Sequence, residues 1–418
     1  MTEKIAIIGS GIAGLTAAYR GRQAGFDVTV FEAHHGHGMD AHTLSVEGGI
    51  VDVPLRVMNP QRWHHVLSLA KEVGVKTFEV DTYVSCSDLQ QHTWFRSSRM
   101  PVTRWPMLAS WRFAHLNTAK IALGLYQLKK ILAYTQHHPQ QSLAQVLAKH
   151  PFDPVFWRGL VLPLLTTICT CDESHLLAWP SHQLLSLLND ILHAQGKRLL
   201  RLHGGTSALV RGLAQGIQAY HGSPVEQVIE QGDKVLVKNK RGEGGLFDRV
   251  IVATQANQLS FIQGEPYAKE RQILAGIPYA QGELVVHQDL RCLPRYKRDW
   301  TALNFMADKQ LQQFMFSVFV NAVEPTLANK SPVLQTWNPI IDLDESKVLS
   351  RTAFQRAVVN GHTVGILAQL NSWHLQANRR VFYVGSWAYE GVPLLESAVC
   401  SAQMVIKTIK QHAQSEKL

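Results

Sequence analysis

Residues 4–32, KIAIIGSGIAGLTAAYRGRQAGFDVTVFE, decide the fold. The apolar run Ile5–Ile8, bounded by Lys4 and Gly9, reads as a buried strand. Gly9, Gly11 and Gly14 follow at G-x-G-x-x-G spacing, and Ala17, Ala18 and Ala24 carry a helical pattern on to Gly25. Phe26–Phe31 then alternates as a second strand, with Glu32 at its end. Each part has a physical task. Gly9 permits a tight turn, Gly11 lets backbone amides approach a pyrophosphate, and Gly14 lets the helix lie close to the strand. The helix N-terminus offers that anion unpaired N–H groups and a positive dipole end. Glu32, 18 residues beyond Gly14, can accept hydrogen bonds from ribose hydroxyls and disfavours a 2′-phosphate. A lone glycine motif is weak. Strand, glycines, helix, second strand and terminal acid in this order imply a nucleotide-binding βαβ unit.

The same grammar returns twice. Gly204-Gly205-Thr206-Ser207 precedes an apolar-periodic helix at 208–217, and short strands follow at 224–229, 234–239 and 246–254 as a β-meander leading to a buried strand. Near the end, a buried strand at 380–384 runs into Gly385-Ser386-Trp387, then a turn at 391–395 and a closing helix at 396–409. The intervening segments look different. They comprise a hairpin at 44–53 turning on Gly48-Gly49, a helix at 63–73 closed by Gly74, short strands from Phe78 to Trp94, and helices at 142–147, 156–168 and 181–192. From 258 to 375 strands alternate with a few helices, including Glu283–Gln288 and Gln313–Val320. The expectation is two interleaved domains: 1–60, 196–258 and 376–418 for the nucleotide, and 61–195 and 259–375 for a substrate.

At 418 residues, 46% of them apolar, the chain can bury a large core and is not disordered. Lys and Arg outnumber Asp and Glu by 41 to 32, a balance that suits an anionic ligand, an acyl carrier or an acidic membrane face. No long basic tract or aromatic RNA-type motif accompanies it, so nucleic-acid binding is not expected. The stretch 100–134 mixes Trp105, Trp111, Phe113, Leu123 and Tyr126 with Arg104, Arg112, Lys120, Lys129 and Lys130; it can line an apolar entrance, touch a membrane or form an ordinary core face. Five cysteines without zinc spacing fit a reducing cytoplasm, and Cys169 and Cys171 read as buried thiols. A strand beginning within four residues of Met1 leaves no room for a signal peptide, and no uncharged apolar run reaches bilayer-spanning length. His34, His35, His37 and His42 lack the spacing of a helical ligand pair, so no metal is expected there.

Three separated motifs carry a resemblance: GSGIAGLTAAYRGRQAGFDVTVFEA, HGGTSALVRGLAQG with the following VEQV and FDRVIVAT, and VFYVGSWAYEGVPLLESAVCSA. Together they resemble the flavin-containing amine oxidoreductase superfamily, which includes monoamine and polyamine oxidases and phytoene-desaturase-like enzymes. HGMDAHT, VDVPLRVMNP and LQTWNPIIDLD are similar to a poorly characterised NAD/FAD-binding branch. The resemblance implies an α/β fold: a Rossmann-like FAD-binding domain of the amine-oxidase/glutathione-reductase type, interleaved with an α+β substrate domain. It implies non-covalent FAD held by Gly9, Ser10, Gly11, Ile12, Ala13, Gly14, Glu32 and Ala33, with Val225 at the adenine edge, Gly385 and Ser386 near the diphosphate and ribityl chain, and Leu394 and Leu395 near the flavin ring. Ser386 stands where the family has an acid, and Gly38-Met39-Asp40 where it has Gly-Gly-Arg. No lysine clearly matches the one that holds a water at flavin N5 in many amine oxidases.

No second dinucleotide motif follows a strand, so a separate NAD(P)H domain is not expected and the flavin would be reduced by a substrate. The reading is an FAD-dependent oxidase, dehydrogenase or desaturase acting by hydride transfer on an apolar or amphipathic small molecule, whether neutral or anionic, with amine or amino-acid oxidation as the alternative. A flavin-binding protein without turnover is the rival of another class. Arg56 can anchor a carboxylate or phosphate, and His64 can act as a base near neutrality. Asn59, Trp337 and Trp387 are candidates for substrate contact. Arg56 also has a plainer reading as a partner of Asp52, and both tryptophans can simply pack.

Overall fold

The computed structural model describes residues 2–38, 43–100, 102, 106–192 and 198–415. Met39, Asp40, His42, Arg104 and Trp105 lie outside the described residues. With elements numbered in chain order, five parallel strands form one sheet in the order β10-β2-β1-β14-β20. They are β1 (Lys4–Ile8), β2 (Asp27–Phe31), β10 (Gln218–Tyr220), β14 (Arg249–Val252) and β20 (Val381–Tyr383). Alternation decides which side chain goes where. Ile5, Ile7, Val28, Val30, Ile251 and Phe382 pack on one face. The helices that cover it are α1 (Ile12–Gln23), α2 (His64–Glu72), α9 (Gly205–Ala214) and α12 (Leu395–Ser415). Ala6, Ile8, Phe31, Val250, Val252 and Tyr383 pack on the other face. There they meet a meander of β11 (Val225–Gln231), β12 (Lys234–Asn239) and β13 (Gly244–Phe247), with α10 (Tyr267–Leu274) and α11 (Gly361–His374). A parallel sheet buried on both sides reads as nearly continuous apolar runs, which is why β1 was legible.

A second, eight-stranded mixed sheet runs β19-β15-β18-β17-β16-β6-β7-β8. Its strands are β6 (Val84–Asp88), β7 (Thr93–Arg99), β8 (Pro106–Leu108), β15 (Tyr279–His287), β16 (Leu303–Ala307), β17 (Phe314–Phe319), β18 (Leu334–Trp337) and β19 (Val348–Ala357). Helices cover one face: α3 (Leu116–Gln136), α4 (Leu143–Lys149), α5 (Pro154–Phe156), α6 (Leu162–Cys169), α7 (Glu173–Ala178) and α8 (Ser181–Leu192). Cys86, Phe95, Phe305 and Phe316 from the sheet meet Ile121, Leu128, Leu165 and Leu185 in that core. Gly124 is required where α3 crosses α5, since a Cβ there would lie 2.2 Å from Phe156 Cγ.

Several segments depart from the sequence reading. Residues 283–288 and 313–320 fall on strands β15 and β17, not helices. Both are apolar runs short enough to be ambiguous, and cross-strand pairing decides them. The hairpin of β3 (Thr43–Val46) and β4 (Gly49–Asp52) turns on Glu47 and Gly48, not on the two glycines. Glu47 sits at φ +50, and its strained turn is held by Lys330 donating to its carbonyl and Ser331 N–H donating to its carboxylate. Gly49 instead lies against Leu327, with a Cβ only 2.3 Å from that side chain. The remaining pair joins β5 (Thr77–Val80) to β9 (Leu199–Leu202).

The hairpin ties the two sheets together. Gln335 of β18 donates from Nε2 to Asp52 O at 2.6 Å, and its Oε1 accepts from Leu55 N at 2.7 Å. Two buried ion networks brace the same region and the sheet behind it. Arg201 donates to Glu324 at 2.5 Å and lies 3.5 Å from Asp52; Arg379 grips Glu270 through both nitrogens at 2.5 and 2.7 Å.

Candidate functional site

The carboxyl ends of β2, β1, β14 and β20 lie side by side, and ligands of open parallel sheets bind at that edge. Gly9 leaves β1 at φ +100, with the Ala253 carbonyl oxygen 3.0 Å from where a Cβ would be. At Gly14 a Cβ would fall 1.9 Å from the Gly9 oxygen, so α1 can approach β1 only with glycine there. A Cβ at Gly11 would meet nothing within 4 Å. Gly11 is also the N-cap of α1, with no side-chain cap and no acid in the first turn. The first amides of α1 therefore face open space. Ile12 and Ala13 bury their side chains in the core, leaving their backbone on this edge.

Glu32 is buried at the end of β2. Its Oε2 accepts from Ser10 N at 2.8 Å and from Ser10 Oγ at 2.7 Å, while Oε1 accepts from His34 N at 2.9 Å. Ser10 Oγ in turn accepts from Gly38 N at 3.1 Å. Ala33 is exposed beside it. Ser223 N and Gly222 N donate to the carbonyls of Glu32 and His34, which brings the start of β11, Val225, to this corner. Gly385 follows β20 and donates from N to Ser401 Oγ at 3.0 Å, with Ser386 next and partly exposed. Leu394 and Leu395 stand at the start of α12, both partly exposed. An uncapped helix end, a clear space above Gly11 and a buried acid with spare lone pairs fit an adenine dinucleotide.

Arg56 and Arg356 form the second part of the site. Each retains accessible surface although protein encloses both, so that surface faces an internal crevice. Arg56 donates to Pro54 O and Thr206 Oγ1, each at 3.2 Å, and Arg356 donates to Ile168 O at 3.2 Å. Neither forms an ion pair among the described residues. Asp52, the expected partner of Arg56, is engaged by Thr206 N at 2.8 Å and by Arg201. Arg201 also donates from Nε to Arg56 O at 3.3 Å, fixing the backbone from which that guanidinium projects. Burial lowers Arg56 to about 10, opposed by Asp52 and reinforced by the charge of Arg356. Burial likewise lowers Arg356. Both remain cations at neutral pH; Asp52 acts on Arg56 only through space, neither guanidinium is ion-paired among the described residues, and two mutually repelling cations at one crevice call for an anion. An apolar cavity of about 300 Å³ lies between the mixed sheet and its helices, lined by Phe95, Leu108, Ile121, Leu125 and Leu164 with Arg99.

Other candidates lie elsewhere. His64 is exposed at the start of α2, on the side facing Arg20 and Lys407. Asn59 Oδ1 accepts from Gln61 N and shapes the turn before α2. Trp337 is core, pressed on Gly282, where a Cβ would lie 2.1 Å from its ring. Trp387 is also buried and donates from Nε1 to Thr254 O at 2.9 Å. Sequence reasoning missed Arg356, because β19 reads VLSRTAFQRA, with no polar–apolar alternation to show which residues turn inward; the alternation appears only in the folded strand, where exposed and part-buried positions take turns and Arg356 falls on the part-buried side.

Among the described residues, His65, Glu396 and Cys400 gather three potential ligand atoms within 4.8 Å. The carboxylate is already committed, since Glu396 accepts from His65 N at 2.8 Å and Val66 N at 3.0 Å and so caps α2. Burial pushes the Cys400 thiol up to about 11, away from the thiolate a metal would need. Cys169 and Cys171 are buried free thiols, and burial pushes Cys169 up to about 12.

A family model described as flavin containing amine oxidoreductase matches residues 12–286. Among solved structures, a cyclohexylamine oxidase from Brevibacterium oxydans IH-35A superposes with a TM-score of 0.69 at 14% identity, covering 99% of this chain and 100% of that one. Putrescine oxidase bound to putrescine gives 0.65 at 14% identity, covering 98% and 99%. A CLA-producing fatty acid isomerase from P. acnes gives 0.68 at 14% identity, covering 97% and 98%. At such identity the likeness speaks to the fold. No helix among the described residues is long and apolar enough to cross a membrane.

Proposed function

The chain belongs to the flavin containing amine oxidoreductase family and is an FAD-dependent oxidoreductase, and we propose that its substrate is an apolar amine bearing a carboxylate, an amino acid or close analogue. The observation that carries this reading is the pair of enclosed guanidiniums of Arg56 and Arg356, neither of them ion-paired among the described residues. Gly9, Ser10, Gly11, Ile12, Ala13, Gly14, Glu32 and Ala33 would hold the adenosine diphosphate half of FAD. Val225 would meet the adenine, Gly385 and Ser386 the ribityl side, and Leu394 and Leu395 the ring. Bound flavin supplies an acceptor for the hydride lost from the C–H beside nitrogen.

The chain's own residues do the rest. Arg56 and Arg356 orient the carboxylate, and their positive charge disfavours the ammonium form of a nearby amine, leaving the neutral amine that can be oxidised. The N-terminus of α12 offers its positive dipole end to negative charge on the ring. A second reading, oxidation of an anionic apolar molecule without an amine, draws support from the apolar cavity and from the likeness to the fatty acid isomerase.

The test is anaerobic flavin bleaching and aerobic peroxide release across matched series: apolar amino acids of both hands, the same amines without carboxylate, and medium-chain carboxylates. Bleaching by amino acids, at least about 30-fold weaker in Arg56→Gln or Arg356→Gln, is the expected result, since losing a charge-assisted partner costs about 2 kcal/mol or more. Equal rates with carboxylate-free amines would reject the role of the arginines. Bleaching by carboxylates alone would favour the second reading. A flavin that photoreduces and reoxidises but answers no substrate would mark a binding protein.

A further inference from the structure

We propose that the outward face of α3, with the segment leading into it, seats on an anionic lipid surface. Helix α3 is apolar on two opposite sides. Ile121, Gly124, Leu128, Ile131 and Thr135 are buried against the core. Leu116, Ala119, Leu123, Tyr126 and Lys130 repeat at intervals of three and four residues on the opposite side. Leu116 is 71% exposed, Leu123 53% and Tyr126 58%, and Trp111 just before the helix is 92% exposed. Scattered exposed hydrophobics need no explanation, but a stripe of them along one helix face does.

Charge decides which partner fits. From residue 89 to residue 152 the sequence has no Asp or Glu and eight Lys or Arg. Lys129 and Lys130 are exposed on α3, with Lys130 4.6 Å from the centre of the Tyr126 ring. Arg112 and Lys120 flank them, engaged by Asp299 and Asp153. Apolar side chains beside the exposed Lys129 and Lys130, on a stretch of sequence that has no acid of its own, complement an acyl-chain boundary under anionic headgroups. The same face also opens inward. Met107 and Ala122 are exposed and at the same time line the apolar cavity, giving an amphipathic molecule a continuous apolar path from the lipid to the interior.

The experiment is co-sedimentation of the flavin-loaded protein with phosphatidylcholine vesicles and with vesicles that also contain phosphatidylserine. Binding only to the second, lost at high salt and reduced at least tenfold in Trp111→Ser/Leu116→Ser and in Lys129→Glu/Lys130→Glu, is the result expected. Flavin content and melting temperature should stay unchanged, since these side chains touch nothing in the core. Failure to bind either vesicle, or undiminished binding by both double variants, would overturn the proposal. So would a dimer in sedimentation velocity that Leu123→Ser/Tyr126→Ser dissociates, because the stripe would then belong to a second copy.

Discussion

Glu32 shows how much a single side chain is asked to do. Its two oxygens hold the Ser10 turn and the His34 amide, and in the proposed reading a ribose would share them. Glu32→Gln keeps the shape but removes the charge, and should weaken FAD binding about tenfold or more, read by titrating deflavinated protein and following flavin fluorescence. Ser10→Ala loses one of the bonds that orient Glu32 and should weaken it by less. Gly14→Ala should abolish retention of the cofactor, because its Cβ overlaps the Gly9 carbonyl. Arg201 is structural by the same measure. Arg201→Gln strands Asp52 and Glu324 as buried carboxylates and should cost about 3–5 kcal/mol in urea unfolding. The residues around Gly9 and Glu32 were readable because their chemistry is local, set by spacing along one strand and one helix. Arg356 was not, since the end of α6, whose Ile168 carbonyl it meets, is 188 residues away in sequence.

At the scale of elements, what the chain concealed is mostly pairing. The short run PYAQGELVVH, residues 278–287, has no helical or strand period strong enough to settle it, and β18 and β19 on either side make it a strand. Asp248 breaks what reads as one strand at 246–254 into β13 and β14; it accepts from Lys4 N at 2.7 Å and turns the chain from meander to parallel sheet. Caps between elements are equally invisible in sequence. Glu396 belongs to the first turn of α12 but serves the N-terminus of α2. Glu396→Ala should cost about 1–2 kcal/mol by urea denaturation. It should also loosen α2 more than α12, which amide hydrogen exchange would resolve. Gly124→Ala overfills the contact of α3 with α5 and should cost about 1–3 kcal/mol.

For the molecule as a whole, buried histidines set the response to acid. Burial lowers His287 to about 4 and His374 to about 3, so both are neutral in the fold near pH 6. Unfolded, they would take up protons near pH 6.5. Their contribution is therefore complete above that value and is lost as pH falls toward 4 and then 3. Urea midpoints should drop between pH 7 and pH 4, and His287→Gln should flatten part of that slope. The parallel sheet has another consequence. Its central strand β1 leaves the ribosome ahead of the other four, whereas β20 follows more than 370 residues later. At about 5–20 residues per second, the first glycine turn waits on the order of tens of seconds for Gly385 to arrive. Until then the nascent βαβ stands without the strand that would wall off the far side of the proposed cradle, and a cofactor held by both ends of the sheet would be retained only once β20 has joined.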